Sequence, residues 1–350
     1  MTTIAQNDFY YMIISKTPYR ISFFGGGTDY PSWYKKYGGE VLSTTIDKHV
    51  YISCRYLPSF FEHKYRIVYS NIELVKKIKD IKHVVVRELI KKTKIKEGLE
   101  LHYDGDLPAL SGMGSSSSFV VGCMNIFLTM QNKKLSTKQL AKESVDFEQG
   151  VLKEIVGSQD QVAAAYGGFN SIRFNTNGSY SVKSMNINES IKNNLNKRLL
   201  LVYTGNQRRA HDIASSYVKN LPIEKKKEML VIQSYVQKAK NYLKKNKLDD
   251  FGDLLDESWK KKKELSKNIS SEFIDNIYSR ALKNGALGGK ILGAGGGGFF
   301  LFYVDGKKLE TFVKSFKNYL IVPFKFENQG SQIIYNNNKN YDQFNDNITF

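Results

Sequence analysis

The chain has 350 residues, with 52 lysines and arginines against 34 aspartates and glutamates, which gives a formal net charge of +18. Hydrophobic residues make up 41%, as in a soluble globular protein, and no apolar run reaches the ~18 residues of a membrane span. The two cysteines exclude a disulfide framework and indicate a reducing compartment. No basic segment precedes an apolar one at the N-terminus, so we expect no signal peptide and a cytoplasmic protein.

The lysines are spread over many segments, which favours a solvated basic surface over a nucleic-acid or membrane partner. A small anionic substrate would also benefit from this positive field. The densest runs, at 225–227, 238–247 and 260–263, are predicted to lie on surface helices. We expect small-molecule partners, no nucleic acid and no membrane, in either a monomer or a homodimer.

The first candidate functional residues accompany a predicted strand over 13–24, which is followed by three glycines at 25–27. Asp29 lies in the loop after them, where its carboxylate could accept hydrogen bonds from sugar hydroxyls or simply form an Asx turn. Arg20 lies in the strand and would point along the same surface. It could stabilise the charge of a transferring phosphate, or it could form a structural salt bridge.

A serine-rich segment, DLPALSGMGSSSSF at residues 106–119, precedes a predicted buried helix over 116–131. We call residues 106–119 the serine loop. Further strands are predicted before it over 41–57, 64–70 and 98–103, with an amphipathic helix over 80–96. Glycines followed by the first amides of a helix favour binding of an anion, most often a phosphate. The segment is not a P-loop, because no lysine lies between Asp106 and Met130.

Two acidic residues follow the serine loop. Glu148 lies in the apolar stripe of a helix predicted over 137–152, with Thr137 as its N-cap. Such a carboxylate is paired or metal-bound when it is buried, although it could also reach solvent from the edge of the stripe. Asp160 comes just before a short helix over 162–166, which it could merely cap. Beside a phosphate-binding loop, the two acids would suit metal-assisted phosphoryl transfer, with one on Mg²⁺ and one on the acceptor hydroxyl.

The polar stretch 186–198 indicates a change of domain. Strands are predicted on both sides of it, over 169–174, 179–185 and 199–203. We therefore expect an N-terminal domain over 1–190 and a C-terminal domain over 191–350. Strands and helices are mixed without regular βαβ alternation, which favours an α+β fold over a doubly wound sheet.

The third glycine-containing segment, at 293–298, reads Gly-Ala-Gly-Gly-Gly-Gly. It formally contains G-x-G-x-x-G, but residues 299–304 have strand composition, whereas a dinucleotide-binding turn opens a helix. We reject an NAD-dependent dehydrogenase for this reason and predict a strand–loop–strand connection, with strands at 290–292 and 299–304. Four glycines in a row favour a ligand close to this backbone. A basic nucleic-acid-binding protein is a further alternative, but no basic motif interleaved with aromatic residues supports it.

Together, the three segments resemble the three motifs of the GHMP kinases, a family that includes galactokinase, homoserine kinase, mevalonate kinase and phosphomevalonate kinase. The matching segments are TPYRISFFGGGTDY at 17–30, PALSGMGSSSSF at 108–119 and GKILGAGGGGFF at 289–300. They occur in the family's order. The resemblance implies a two-domain α+β fold with the active-site cleft between the domains. It also implies ATP- and Mg²⁺-dependent phosphorylation of a hydroxyl group.

The resemblance also implies a role for individual residues. Asp160 would contact or deprotonate the acceptor hydroxyl, with Arg20 beside it, and Ser116 and Glu148 would bind the metal. ATP would be bound by Gly112, Met113, Gly114, Ser115, Ser116 and Ser117. The substrate would be bound by Gly26, Gly27, Thr28, Asp29, Arg208, Arg209, Gly295, Gly296 and Gly297.

Within the family, three segments look most like the branch that acts on heptose phosphates, with fucokinases close by. They are GGGTDYP at 25–31, VGSQDQVAAAYGG at 156–168 and YTGNQRRA at 203–210. This resemblance implies phosphorylation of an anomeric hydroxyl on a sugar that already carries a phosphate. A second phosphate would need a second anion site, for which Arg208, Arg209 and Lys290 are candidates.

Overall fold

The computed structural model describes residues 12–58, 60–206, 214 and 218–337, which form two β-sheets with helices packed against them. The strands are β1 (Met12–Phe24), β2 (Gly39–Tyr56), β3 (Tyr65–Val68), β4 (Ile72–Val75), β5 (Leu99–Gly105), β6 (Phe169–Phe174), β7 (Tyr180–Ser184), β8 (Leu199–Tyr203), β9 (Ala286–Ile291), β10 (Phe299–Val304), β11 (Ile321–Val322), β12 (Phe326–Glu327) and β13 (Gln332–Asn336). The helices are α1 (Pro31–Tyr37), α2 (Val84–Thr93), α3 (Ser115–Met130), α4 (Thr137–Asp146), α5 (Gln159–Tyr166), α6 (Glu189–Arg198), α7 (Leu221–Glu224), α8 (Lys226–Lys244), α9 (Leu248–Lys263), α10 (Glu272–Lys283) and α11 (Leu309–Ser315). This mixture confirms the predicted α+β class. No helix in the described ranges combines the length and the apolar character needed to cross a membrane.

The long strand β2 organises the first sheet, which has 9 strands. It pairs with β1 along most of its length, with β6 through its first half and with β5 through its second half, always antiparallel. The main order is β13-β1-β2-β5-β3-β4, and the β3–β5 pair is parallel. Helices α3 and α5 pack on β1 and β2. The first glycine segment therefore starts where β1 leaves this sheet, close to both helices.

The second sheet has the order β11-β8-β10-β9 and is antiparallel throughout. Both faces of β10 are buried, so its alternating side chains enter two different packing regions. Leu301 and Tyr303 belong to the same hydrophobic cluster as the core of the first sheet, whereas Phe300 and Phe302 belong to a second cluster that includes Trp259 of α9. The hydrophobic core is thus continuous from the first sheet to the second.

The predicted change of domain at 186–198 contains a helix, α6, which begins after Asn188. The Asn188 side chain accepts a hydrogen bond from the backbone N–H of Ser190 and caps the helix. After the second sheet, β12 returns to β2 and β13 returns to β1. The end of the described chain therefore contributes to the first sheet, and the division at residue 190 stays a prediction.

Two predicted helices differ from the structure in their limits. The helix predicted over 80–96 is confined to α2, and a short 3₁₀ turn, Ile78–Asp80, precedes it. The N-cap of α4 is Ser136 instead of Thr137, because Ser136 and Gln139 form a reciprocal capping box. The α-helical part of this segment ends at Asp146, and a π-helical turn, Phe147–Val151, continues it.

Candidate active site

One cleft is lined by residues from all three glycine-containing segments and from the helices next to them. Its lining includes Arg20, Ser22, Gly26, Gly27, Asp29, Gly112, Gly114, Ser115, Ser116, Ser117, Gln159, Asp160, Lys262, Lys290, Gly293, Gly295 and Gly297. Segments almost 300 residues apart in sequence thus meet at one place. This convergence is what the order of the motifs predicts.

The serine loop presents the start of α3 to the cleft. Gly112 and Gly114 have φ values of +79° and +76°, a left-handed conformation that glycine adopts without strain. Gly114 occupies the N-cap position, and no side chain caps α3 there. The first amides of a helix without a side-chain cap, at the positive end of its dipole, form a site for an anion.

Arg20 holds the serine loop against β1. Its Nη1 donates to the carbonyl oxygen of Gly112 at 2.6 Å, and its backbone N–H donates to that of Met113 at 3.0 Å. Its Cγ would lie 3.1 Å from a Cβ at Gly114, so a side chain there would crowd the arginine. The Met113 side chain is fully buried in the core, so this residue can offer only its backbone to a ligand.

Arg20 also forms a two-point ion pair with Asp160, which lies in the first turn of α5. Its Nε donates to Oδ1 at 2.8 Å and its Nη2 donates to Oδ2 at 2.7 Å. The side chain of Arg20 is 5% exposed and that of Asp160 is 24% exposed. Each carboxylate oxygen keeps a further lone pair for a ligand. Asp160 thus does more than cap a helix: its carboxylate is fixed at the cleft.

Glu148 lies in the π-helical turn after α4 and is 1% exposed. Its Oε2 accepts hydrogen bonds from Ser117 Oγ, at 2.8 Å, and from the Gln161 side chain. Burial raises the pKa of Glu148 to about 7, although both hydrogen bonds act in the opposite direction. The side chain does not reach solvent, so the first of its two sequence interpretations, a paired or metal-bound buried carboxylate, is the one that fits.

The structure separates the roles of two neighbouring serines. Ser117 is buried and donates to Glu148, whereas Ser116 is exposed and lines the cleft from the first turn of α3. No hydrogen bond in the described residues joins Ser116 to Glu148, the metal-binding pair that the motif implies. Ser117 is the serine that touches the glutamate.

Asp29 is 2% exposed and is held by two backbone amides. Its Oδ1 accepts from Gly27 at 2.9 Å and its Oδ2 accepts from Gln159 at 3.4 Å. Burial, followed by the neighbouring charge of Asp160, raises the pKa of Asp29 to about 6. A Cβ at Gly157 would collide with Asp29 Oδ2. Gly157 is thus a site residue that the sequence analysis missed, since nothing in its local pattern shows how closely Asp29 approaches it.

Not all predicted substrate contacts face the cleft. The Thr28 side chain is fully buried, and its hydroxyl donates to the carbonyl oxygens of Gly25 and Glu40. Gly296 is not among the lining residues, and its N–H donates to Ile269. Arg208 and Arg209 lie outside the described residues.

Part of the glycine run at 293–298 is explained by packing. A Cβ at Gly293 would lie 2.7 Å from the Gly112 Cα, and a Cβ at Gly298 would collide with the Ser111 carbonyl oxygen. Both contacts are with the serine loop, so these two glycines let two backbone segments touch. Gly295 and Gly297 line the cleft, and a Cβ at either would also crowd a backbone oxygen, at 2.9 Å from that of Ile269 and 2.8 Å from that of Asn206.

Two lysines enter the cleft from the C-terminal part of the chain. Lys290 of β9 is 5% exposed, and Lys262 of α9 reaches the third glycine segment. Lys290 is a candidate anion ligand from the sequence, whereas the run 260–263 is predicted to lie on the surface, which is wrong for Lys262. Lys262 shares a helix face with the buried residues Leu255 and Trp259, at i−7 and i−3, and this periodicity could have revealed it.

Comparison with known proteins identifies the family. The family model for the N-terminal domain of GHMP kinases matches residues 74–168, and that for the C-terminal domain matches residues 239–320. The D-glycero-alpha-D-manno-heptose 7-phosphate kinase of Campylobacter jejuni is 32% identical over 335 residues, which cover 91% of this chain and 97% of that protein. The chain belongs to the GHMP kinase family.

Other relatives of this GHMP kinase agree in fold. The bifunctional fucokinase/GDP-fucose pyrophosphorylase of Arabidopsis thaliana is 25% identical over 81% of the chain, although the match covers 29% of that longer protein. The crystal structure of a D-glycero-D-manno-heptose 1-phosphate kinase from Bacteroides thetaiotaomicron has a TM-score of 0.75 at 24% identity, and the match covers 92% of this chain and 99% of that one. The predicted fold, with its N and C domains, is confirmed.

As a GHMP kinase, the chain is a sugar kinase that transfers a phosphate group to a hydroxyl, with ATP and a divalent metal as the family's cofactors. The residues after Gly298 form β10, a strand, as expected from their composition. The dehydrogenase alternative required a helix at this point and is wrong.

The donors around Glu148 fit a divalent cation bound together with a nucleotide. No group of three or more histidine, cysteine or acidic side chains in the described residues could hold a metal ion alone. Mg²⁺ is commonly bound by one or two carboxylates, with substrate phosphates and waters completing its shell. One buried carboxylate, two serine hydroxyls and the unpartnered Gln161 Oε1 are oxygen donors of this kind.

Proposed function

We propose that this kinase uses ATP and Mg²⁺ to phosphorylate the anomeric hydroxyl of D-glycero-D-manno-heptose 7-phosphate. The reaction would take place in the cytoplasm, and its product would be the 1,7-bisphosphate. This product would be a precursor of nucleotide-activated heptose, which is used to make surface polysaccharide. One observation carries the proposal. The carboxylates of Asp29 and Asp160 face the same cleft as the start of α3, in a chain that resembles a heptose 7-phosphate kinase over 91% of its length.

The sugar would lie beside Asp29, where buried polar atoms have no hydrogen-bond partner in the described residues. Ser22 Oγ and Gln159 Oε1 are buried and make no hydrogen bond within the described part of the chain. A Cβ at Gly26 would lie 3.6 Å from Ser22 Oγ and 3.9 Å from Gln159 Nε2, so Gly26 leaves this corner open. Buried polar groups without partners are costly, and the hydroxyls of a sugar would satisfy them. Gly27 and the two glycines of the third segment, Gly295 and Gly297, would border the sugar with backbone alone.

Asp160 would accept a hydrogen bond from the anomeric hydroxyl and orient it toward the γ-phosphate. Loose phosphoryl transfer needs little help from a base, so a carboxylate already engaged by Arg20 can act by positioning. Arg20 links this carboxylate to the serine loop through Gly112. One side chain, Arg20, therefore fixes the position of the acceptor hydroxyl relative to the phosphate-binding loop. This lowers the entropic cost of aligning the hydroxyl with the γ-phosphate.

The backbone of Gly112, Gly114, Ser115, Ser116 and Ser117 would hold the triphosphate at the start of α3. Glu148, with Ser116 from the cleft side and Ser117 from the buried side, would hold Mg²⁺. The metal would neutralise charge on the phosphates during transfer. Ser117 positions Glu148 by its hydrogen bond. Loss of the Ser116 hydroxyl should therefore weaken metal binding by removing a ligand, and loss of the Ser117 hydroxyl should weaken it by releasing Glu148.

A coupled ADP-release assay with purified protein tests the proposal. The acceptors are heptose 7-phosphate, mannose, fucose and galactose, each with ATP and Mg²⁺, and a reaction without sugar is the control. We expect kcat/KM for heptose 7-phosphate to exceed the others by at least roughly a hundredfold, because unpaired polar groups reject the wrong sugar strongly. A preference for fucose would support a fucokinase instead, the alternative that the Arabidopsis relative suggests, and a preference for galactose or mannose would support another galactokinase-like sugar 1-kinase. Equal, weak turnover of all four sugars would contradict both.

A further inference from the structure

Two ammonium groups in the cleft, one on the buried Lys290 and one on the half-buried Lys262, have backbone oxygens as their hydrogen-bond acceptors. Lys262 Nζ donates to the carbonyl oxygens of Ile291, at 3.2 Å, and Gly293, at 2.6 Å. Lys290 Nζ donates to the carbonyl oxygen of Phe23 at 2.9 Å. Neither forms an ion pair with a carboxylate within the ranges that the structure describes.

The other lysines of the same run behave differently. Each pairs with an acidic side chain: Lys260 with Asp256, Lys261 with Glu264, and Lys263 with Asp275. Lys262 is the member of the run that turns inward, toward the cleft and Lys290. Lys262 therefore has no carboxylate partner because of its position, and not because the chain contains few acidic residues.

A charge in this position is costly without an anion. Burial, then Lys290 and Arg20, lowers the pKa of Lys262 well below its usual value. Burial, then Arg20, lowers the pKa of Lys290 to about 7, although Asp29 acts in the opposite direction. An unpaired cation withdrawn from water destabilises a protein, so two lysines without carboxylate partners beside the buried Arg20 indicate that a bound anion completes the site.

We propose that Lys262 and Lys290 bind the phosphate group that the sugar carries before the reaction. This inference rests on the proposed function. Lys290 interacts electrostatically with Asp29, on the side of the cleft assigned to the sugar, and with Lys262, which lines the same cleft. Under the proposed function, the phosphates of ATP are bound elsewhere, at the start of α3 and near Glu148. A phosphate dianion between the two ammonium groups would replace the missing carboxylates with charge-assisted hydrogen bonds.

The test compares two ligands that differ in the phosphate alone. Binding of heptose 7-phosphate and of the same heptose without its phosphate is measured by calorimetry for the wild type and for Lys262→Gln. Glutamine can still donate to a backbone carbonyl while the charge is removed. We expect the variant to bind heptose 7-phosphate roughly 10- to 100-fold more weakly and the unphosphorylated heptose equally well, because a hydrogen bond to a charged group is lost. Lys262→Arg, which keeps the charge, should recover most of the loss.

Lys263→Gln is the matched control, since it removes a charge one residue away that pairs with Asp275. It should leave both affinities unchanged, and the KM for ATP should be unchanged in all three variants. If Lys262→Gln melts early, Lys290→Gln carries the same comparison. An unchanged ratio of the two sugar affinities, or a loss that falls on ATP, would overturn the inference. The proposed function fails separately, if the wild type does not turn over heptose 7-phosphate.

Discussion

Replacing Asp160 with asparagine is the perturbation that probes the proposed chemistry most closely. The substitution keeps the size of the side chain and removes its charge. Arg20 then loses one of the two acceptors that residue 160 offers, because the asparagine amide presents an NH₂ group to one of the guanidinium nitrogens. The cleft geometry is otherwise retained, since Arg20 still donates to Gly112.

The magnitude follows from burial and distance. Opposite charges roughly 4 Å apart attract by about 4 kcal/mol at an effective dielectric constant near 20. Removing one partner of a buried pair costs about 3–5 kcal/mol, and the 24% exposure of Asp160 places this site at the lower end. The free energy of unfolding should therefore fall by about 3 kcal/mol. A positioned group that contacts the reacting hydroxyl contributes about 10²- to 10⁴-fold to the rate, so kcat should fall within that range.

The assay is ADP release at saturating sugar and ATP, with thermal melting measured on the same samples. The KM for ATP should change by less than about threefold, because the triphosphate site does not include Asp160. Asp146→Asn is the matched control, since Asp146 forms an exposed pair with Lys142 and should retain wild-type activity. A folded Asp160→Asn variant with near-normal kcat would refute the assigned role.

Three further predictions concern the metal, pH and the contact between segments. Glu148→Gln should raise the Mg²⁺ concentration for half-maximal activity roughly tenfold or more, measured by metal titration; an unchanged requirement removes Glu148 as a ligand. Lys290 has a native pKa of about 7 against an ordinary value of 10.5, so the unfolded state binds more protons between these values and stability rises with pH there. From roughly pH 7.5 to 9.5, the wild type should gain about 2 kcal/mol in denaturant melts relative to Lys290→Met, and parallel curves would contradict this. Gly112→Ala should lower the free energy of unfolding by about 2–3 kcal/mol and raise the KM for ATP, because its Cβ would collide with Leu292 and its φ is +79°; wild-type melting would show that the two segments do not touch.

The sequence was most informative where a pattern is local and strong. The strand over 13–24, the buried helix after the serine loop and the strand after Gly298 were all predicted and are all present as β1, α3 and β10. Period-two alternation, helix-start chemistry and β-branched or aromatic content determine such elements with little help from the rest of the fold. The order of the three glycine-containing segments also indicated the family, which no single segment could identify.

Contacts between distant segments were not accessible in this way. Ser117, and not Ser116, forms the hydrogen bond to Glu148. This choice depends on the residue at which α3 begins and on the π-helical turn that contains the glutamate. Gly157 must lack a side chain because a Cβ there would collide with Asp29, which lies more than a hundred residues earlier in the chain. Lys262 was misplaced because its charged neighbours suggested a solvated face, while its helical phase pointed inward.

The identity of the product tests the central claim most directly. Heptose 7-phosphate, ATP and Mg²⁺ are incubated with the protein, and the purified product is examined by ³¹P nuclear magnetic resonance with proton coupling. The account predicts a second monoester phosphorus that couples to the anomeric proton of the heptose, next to the original 7-phosphate signal. A new phosphate coupled to any other sugar proton, or a diphosphate at position 7, would contradict it, as would ADP release with no change in the sugar.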